Sequence, residues 1–511
     1  MNPVLSSLRA RQLSGVRCRT CARLLRREKR SFATASGAGD PEGDPEIYDV
    51  VCVGGGPAGL SLLAALRSHP TTSRLRLALI ETQSLTPLRT FAPQPDSYSN
   101  RCSSLTPASV GFLDGIGAWR HVRRERVMSY GGMRVWDGVS GESIGFDVDG
   151  GGGGVEGVKE EREGTEGSNG GVVAYMNENV NLTSALLRRI EELGGVDILE
   201  GEKVEDIAFG EDTPTADLTS WPVITTSSGT RLAARLLVGA DGANSPVRTF
   251  AGIESRGWDY NRVGLVATLK LSGPGWGGEG KKIAYQRFLP TGPVAMLPLP
   301  GNMSTLVWST TPALAARLKS LSPEDFCAMV NAAFRLRTPD LKFLHTIEGG
   351  QKDEVSWRET HTKFSREQVP QDVVAVQPGS IASFPLKFRH ADSYISQRIA
   401  LVGDAAHSVH PLAGQGLNQG QGDVEALTQN IIYNVEHGAD IGTRMNLEGY
   451  GKERYWRNHV LMGVVDKLHK LYATENLGVV RVRSLGLGIV DRLEGVKGWV
   501  MRRAAGERGL F

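Results

Sequence analysis

Near the amino-terminal end, Ile47-Tyr48-Asp49-Val50-Val51-Cys52-Val53 forms a short apolar, β-branched run that reads as a buried strand. It passes directly into Gly54-Gly55-Gly56-Pro57-Ala58-Gly59 and then into the helical pattern Leu60-Ser61-Leu62-Leu63-Ala64-Ala65-Leu66-Arg67. Gly54, Gly56 and Gly59 therefore fall at G-x-G-x-x-G spacing on a strand-to-helix turn. Pro57 suits the first helical turn, where its missing N–H costs nothing. The three glycines serve the tight turn, the close backbone approach to a pyrophosphate, and the close packing of helix on strand. The phosphates would rest on the helix N-terminus, where free N–H groups and the dipole favour anions. A second strand, Leu75 to Ile80, ends in Glu81, 22 residues after Gly59. An acid there can accept hydrogen bonds from ribose hydroxyls. The pattern predicts a dinucleotide site and leaves FAD and NAD both open.

Glycine is abundant throughout, 63 of 511 residues, against a background of roughly 7%, so one glycine motif alone is weak evidence. Two more apolar strands end in Gly/Asp turns. The first is Arg235-Leu236-Leu237-Val238-Gly239-Ala240-Asp241-Gly242, running on to Arg248. The second is Arg398-Ile399-Ala400-Leu401-Val402-Gly403-Asp404, running on through His407, His410 and Pro411 to Gly420. With the three motifs in this order, the chain from about Ile47 to Leu477 resembles the FAD-dependent aromatic hydroxylases. Ala284 to Pro293, the His410 to Gly420 stretch and Asp466 to Leu471 resemble, within that family, the ubiquinone-biosynthesis hydroxylases of mitochondrial type.

The resemblance implies a fold and a site. The fold class is α/β (α+β mixed), a Rossmann-like FAD-binding domain interleaved with a mixed-sheet substrate domain and followed by a helical C-terminal region. FAD-binding segments are expected at 47–102, 231–251 and 398–436, and substrate-domain segments at 103–230 and 252–397. Gly54, Gly56, Gly59 and Glu81 would hold the ADP half of FAD. Arg101 would approach the pyrophosphate and flavin edge, and Asp241 and Gly242 fall on the motif associated with flavin and pyridine nucleotide. Asp404 would bond the ribityl and ribose region, while Pro411, Gly414, Gly416, Leu417 and Asn418 would form the turn under the isoalloxazine. A helix predicted over Asp423–Val435, with Val424, Leu427, Ile431, Ile432 and Val435 as its stripe, would aim its positive end at the flavin, stabilising charge that develops on reduction.

The same resemblance implies ring hydroxylation of a polyprenylated phenol by molecular oxygen through a flavin C4a-hydroperoxide, which needs a dry site. No side-chain acid or base is identifiable from spacing, so the catalytic residues stay open. No second G-x-G-x-x-G unit marks an NADPH domain; the electron donor is NADPH or a ferredoxin with its reductase. A multiprotein ubiquinone-synthesis complex and a peripheral contact with the matrix face of the mitochondrial inner membrane are further implied. Gln286, Arg287, Phe288 and Leu289 are candidate substrate-wall residues, with sheet packing as the alternative.

Charge is unevenly spread. Lys plus Arg number 58 and Asp plus Glu 56, a balance that excludes a typical nucleic-acid protein. Nine of the cations lie in the first thirty residues against Glu28 alone, so the rest of the chain is mildly acidic. That Arg-rich, acid-poor leader reads as a mitochondrial transit peptide over 1–35, with 36–46 as linker. Residues 150–171 hold ten glycines and five glutamates and read as a disordered insertion, unable to offset ordering entropy by burial. Five cysteines point to reduced thiols, and His407 with His410 lacks the third ligand cluster of a metal site.

Residues 437–511 are expected to be helical. Val460, Leu461, Val464, Val465, Leu468, Leu471 and Tyr472 share a face, opposite Asp466, Lys467, His469 and Lys470. Core packing is the simplest role for that face, and a membrane or partner surface is the alternative. Two other functions remain compatible with the sequence: a flavin hydroxylase of another aromatic substrate, and a non-catalytic flavoprotein scaffold.

Overall fold

The computed structural model describes residues 44–147, 171–273, 282–366, 368–408, 414–474, 476, 478–481 and 483. The expected transit peptide, most of the linker, residues 150–170 of the insertion, Pro411 and the end of the C-terminal region lie outside the described residues.

Along the chain, β1 (Glu46–Val53) leads through α1 (Pro57–Ser68) to β2 (Leu77–Glu81). β3 (Cys102–Leu105), α2 (Pro107–Gly115), β4 (Gly132–Asp137), α3 (Asn179–Leu193), β5 (Val196–Glu200) and β6 (Arg231–Gly239) follow. Then come β7 (Ser255–Leu271), β8 (Ile283–Leu289), β9 (Gly292–Pro298), β10 (Met303–Thr310), β11 (Ala382–Ala391) and β12 (Ile399–Leu401). Two long helices close the order, α4 (Gln415–Glu436) and α5 (Arg444–Tyr472).

In the first sheet β12, β6, β1, β2 and β5 lie side by side and run parallel. The chain leaves β1 on one side for β2 and returns on the other as β6, so β1 is the switch point. Val50, Val51, Cys52, Leu79 and Leu237 are wholly buried, as strands covered on both faces require. α1 packs against α3 and α4 with Leu60, Leu62, Leu63 and Leu66 buried.

The second sheet has nine strands. β11, β7, β10, β9 and β8 are antiparallel neighbours, and β8 pairs parallel with β4. Its core joins Leu265, Leu269, Met296, Leu306 and Trp308 to Phe326, Met329 and Phe334 of the Pro323–Arg335 helix.

Three expectations need adjusting. Segment 103–230 does not belong wholly to the second sheet: β5 pairs with β2, and the Val204–Phe209 and Pro222–Thr226 strands extend the first sheet from β6. The helix expected from Asp423 begins at Gln415, so Gly416, Leu417 and Asn418 form its first turn and not a turn before it. The helix forms despite the low helix propensity of Gly416, Gly420 and Gly422; a Cβ on Gly420 would lie in ordinary contact, 3.5 Å from the Gly403 Cα, and one on Gly422 would lie 2.8 Å from an Arg454 nitrogen. In α5 the buried side is Met462, Val465, Asp466, His469 and Tyr472, whereas Val460, Val464, Leu468 and Leu471 are exposed. Asp466 and His469 can be buried because the Tyr260 hydroxyl donates to Asp466 and the Tyr260 ring packs edge-on to His469.

Candidate functional site

Since β1, β2, β6 and β12 run parallel, Val53, Glu81, Gly239 and Leu401 end at one edge of the sheet, and the glycine motifs that follow them converge there. Gly54 has φ +106°, and a Cβ on it would come within 2.3 Å of the Ala240 oxygen. The first motif is thus pressed against the second. A Cβ on Gly59 would lie 2.0 Å from the Gly54 oxygen, which is the helix-on-strand contact expected of it. Around Gly56 nothing lies within 4 Å of the Cβ position. Glu81 ties the turn to β2: its carboxylate accepts the Gly55 N–H at 2.5 Å and the Gln83 N–H at 2.7 Å.

Helix capping varies across the molecule, and α3 and α5 begin with no side-chain cap and no acid in the first turn. α2 is capped by Thr106, the Pro312–Ser320 helix by Thr311 and the Pro323–Arg335 helix by Ser322. α1 and α4 begin at Gly56 and Gly414, with no side-chain cap and no acid in the first turn. Their first N–H groups keep an uncancelled positive end for an anionic or electron-rich ligand. The second turn of α4 lies against the first turn of α1, as a Cβ on Gly420 would contact both Gly403 and Ala58.

The second and third motifs are tied by Arg248, which donates at 2.7 Å to the Ala243 oxygen and at 2.7 Å to the Ala405 oxygen. Gly242 takes φ +82° and Gly403 φ +59°, both in the left-handed region. Asp241 accepts the Val247 N–H at 3.3 Å through one oxygen, while its other oxygen is buried without a hydrogen-bond partner among the described residues. Burial raises its carboxyl above the usual range, opposed by the Ser245 hydroxyl. Asp404 is exposed yet ringed by enough protein that its carboxyl is also raised, as befits an acid on the floor of a cleft. The amides of Gln419 and Gln421, in the first turns of α4, are buried and unpartnered as well.

Asn418 is built differently from its expected role. Its side-chain oxygen accepts the Thr106 N–H at 3.0 Å and the Ser109 hydroxyl at 2.8 Å, and its amide donates to the Ser104 oxygen at 2.8 Å. It staples α4 to the β3–α2 corner and shapes the site from behind. Arg101 is exposed and its guanidinium has no partner among the described residues. The loop before it is held by the buried pair Arg126–Glu178 at 2.8 Å: Arg126 donates to the Gln94, Pro95 and Ser97 oxygens, and Glu178 accepts the Ser99 N–H. Gly414 meets Ser104 of β3, three residues past Arg101.

Sequence reasoning missed the polar cluster beneath the third motif. Asp423 of α4 accepts from His407 Nε2 at 2.6 Å, the Gly403 N–H at 3.1 Å, Arg454 Nε at 2.9 Å and Asn458 Nδ2 at 2.9 Å. Burial alone would raise the Asp423 carboxyl, but His407 and Arg454 outweigh it and hold it down to about 2. The signal available was a charged residue, Asp423, at the head of an otherwise apolar helical stripe. Gln286, Arg287, Phe288 and Leu289 resolve as packing. All four are buried, Arg287 donates to the Ala333 oxygen at 2.9 Å, and Phe288 stacks on Tyr472 at 4.2 Å. Among the described residues no three His, Cys, Asp or Glu side chains are placed to hold a metal ion.

A parallel sheet with a glycine turn at its switch point and uncapped helix ends at its carboxyl edge is the geometry of a dinucleotide-binding protein. The family model described as FAD binding domain matches residues 47–461. Among solved structures, the chain is similar to p-nitrophenol 4-monooxygenase PnpA from Pseudomonas putida DLL-E4 (TM-score 0.61, 17% identity, 91% of this chain and all of that one). It is also similar to the OxyS anhydrotetracycline hydroxylase from Streptomyces rimosus (TM-score 0.57, 18% identity, covering 90% and 76%). At these identities the likeness is one of fold. The chain is 40% identical to "Ubiquinone biosynthesis monooxygenase COQ6, mitochondrial" of Schizosaccharomyces pombe, covering 90% of this chain and 92% of that protein. The proteins of the same name in Saccharomyces cerevisiae and Homo sapiens are 38% and 35% identical, covering 93% and 90% of this chain and 96% and 92% of theirs. The chain belongs to the family of FAD-dependent ubiquinone biosynthesis monooxygenases.

Proposed function

We propose that this monooxygenase hydroxylates the aromatic ring of a polyprenylated phenol in ubiquinone biosynthesis, working peripherally at the matrix face of the mitochondrial inner membrane. The observation that carries the chemistry is the pair of uncapped helix ends at the carboxyl edge of the parallel sheet. When bound, FAD supplies the redox and oxygen chemistry. The N–H groups of Gly56, Ala58 and Gly59 would hold its pyrophosphate, and Glu81, freed from or sharing the Gly55 N–H, would take the ribose hydroxyls. Asp241 and Asp404 would accept from the sugar and ribityl hydroxyls, and Arg101 would serve the anionic edge. The first turn of α4, from Gly414 to Leu417, would lie against the flavin ring, where its free N–H groups would steady negative charge. Asn418 and the Asp423 cluster keep that turn in place from behind.

Electrons come from NADPH or from a ferredoxin with its reductase, and the enzyme acts within a multiprotein synthesis complex. Anaerobic mixing of the FAD-loaded protein with each donor, with and without a short-chain polyprenyl phenol, tests this reading. Flavin bleaching by one donor, followed by hydroxylated product on admitting oxygen, is expected. Tight FAD binding without phenol-dependent turnover under either donor would refute the hydroxylase assignment in favour of a scaffold.

A further inference from the structure

Trp456, Val460, Val464, Leu468 and Leu471 recur at helical spacing along the outer side of α5, and each is between 38% and 63% exposed. None of them is needed to fix the helix. The opposite side holds it through buried Met462, Val465 and Tyr472, through Asp466 bonded to Tyr260, and through the Tyr472–Phe288 stack. The outward charges of this stretch are of one sign. Arg457, Lys467 and Lys470 are exposed, Arg457 lying 3.5 Å from exposed Glu453 one turn earlier, while the sole carboxylate between Trp456 and Leu471, Asp466, is buried. Lys470 bonds Asp466 at 2.8 Å and lies 4.4 Å over the ring of half-exposed Trp258, and Lys467 has no ion-pair partner among the described residues. Val479 and Arg481 continue the same mixture past the helix end. A row of apolar side chains flanked by long cations, with a tryptophan at one end, is the pattern of a helix lying in a bilayer interface. Among the described residues no helix is long and apolar enough to cross a membrane.

We infer that this face of α5 seats the enzyme on an anionic lipid bilayer. The apolar row enters the boundary between headgroups and acyl chains, and Arg457, Lys467 and Lys470 meet lipid phosphates. The inference rests on the membrane-borne substrate proposed above and adds the surface that reaches it. A protein partner is the competing occupant. Lysine is depleted at protein interface cores, and a row one residue wide, about 22 Å long at 1.5 Å per residue, suits a fluid surface better than a shaped one.

Flotation of the full-length, FAD-loaded chain with phosphatidylcholine vesicles, with and without phosphatidylserine, tests the inference. Binding should need the anionic lipid. Val460→Ser combined with Val464→Ser and Leu468→Ser should weaken it at least tenfold, with FAD content and visible spectrum unchanged. Lys467→Gln should weaken it about fivefold, the loss expected for one interfacial cation at roughly 1 kcal/mol. Triple-variant binding equal to the parent would overturn the assignment of this face while leaving membrane attachment intact. Equal binding to neutral and anionic vesicles would overturn the electrostatic part. A parent chain that floats with neither would overturn the whole inference, and the hydroxylase reading would still stand or fall on turnover of a soluble short-chain phenol.

Discussion

Gly56 and Gly59 stand in one turn of the chain and should answer substitution in opposite ways. A methyl group on Gly59 would meet the Gly54 oxygen at 2.0 Å, a backbone clash that only separation of α1 from β1 can relieve. Gly59→Ala is expected to lower folding stability by about 1–3 kcal/mol, read as a lower melting temperature of the apoprotein. Gly56 has φ −73° and open space beyond it, so Gly56→Ala should leave that melting temperature unchanged. It should weaken FAD at least tenfold, measured by flavin fluorescence titration, because the methyl group occupies the pyrophosphate approach. Equal effects of the two substitutions on apoprotein stability would contradict the roles given to them. Spacing alone identifies both glycines as members of one motif; which one packs and which one binds depends on what lies opposite each.

At the scale of elements, α4 is held by charge as much as by its apolar stripe. Asp423 joins it to His407 in the third motif and to Arg454 and Asn458 of α5. Its carboxyl is held at about 2 in the folded chain against 3.8 ordinarily. A depressed value of this kind contributes stability above pH 4 that is lost as pH falls toward 2, worth roughly 2 kcal/mol. Acid titration of the parent should therefore show an unfolding component in that window, absent from Asp423→Asn. The substitution itself should cost about 3–5 kcal/mol in urea denaturation, since Arg454 stays buried without its counter-charge.

A second buried pair serves a loop in the same way. Arg126→Met would leave Glu178 unpaired and release the Gln94–Ser97 carbonyls. Weaker FAD binding is expected through displacement of Arg101, together with a stability loss of about 3–5 kcal/mol. If FAD affinity is unchanged while stability falls, the loop has no part in the flavin site. Neither pair could be read from the sequence, because partners such as Asp423 and Arg454 meet only after the elements pack.

For the whole molecule, Asp137 and Arg483 show how the two ends of the fold are closed. Arg483 bonds both Asp137 oxygens, at 2.8 and 2.9 Å, with both side chains fully buried, and also donates to the Leu471 and Thr474 oxygens. The chain after α5 is thereby fastened to β4 of the second sheet. Arg483→Met alone should destabilise by about 3–5 kcal/mol, whereas pairing it with Asp137→Leu should recover much of the loss. Full additivity of the two substitutions in thermal or urea denaturation would refute the pairing.

The sequence by itself determined the parallel sheet with its glycine turn and the order of the three motifs, because each depends on local geometry at fixed spacing, and the resemblance carried by those motifs supplied the cofactor class and the family. Gly54, Gly59 and Glu81 stood out in the sequence for that reason, and Asp241 and Asp404 through the resemblance. Only the tertiary structure decided that α4 begins at Gln415, that Asn418 is a staple, that β5 joins the first sheet, and that α5 turns Val460, Val464 and Leu468 outward. These depend on neighbours distant in the chain. An apolar row satisfies helical periodicity on either side of a helix, and the side that packs is settled by partners such as Tyr260 and Phe288, which bury Asp466, His469 and Tyr472 in its place.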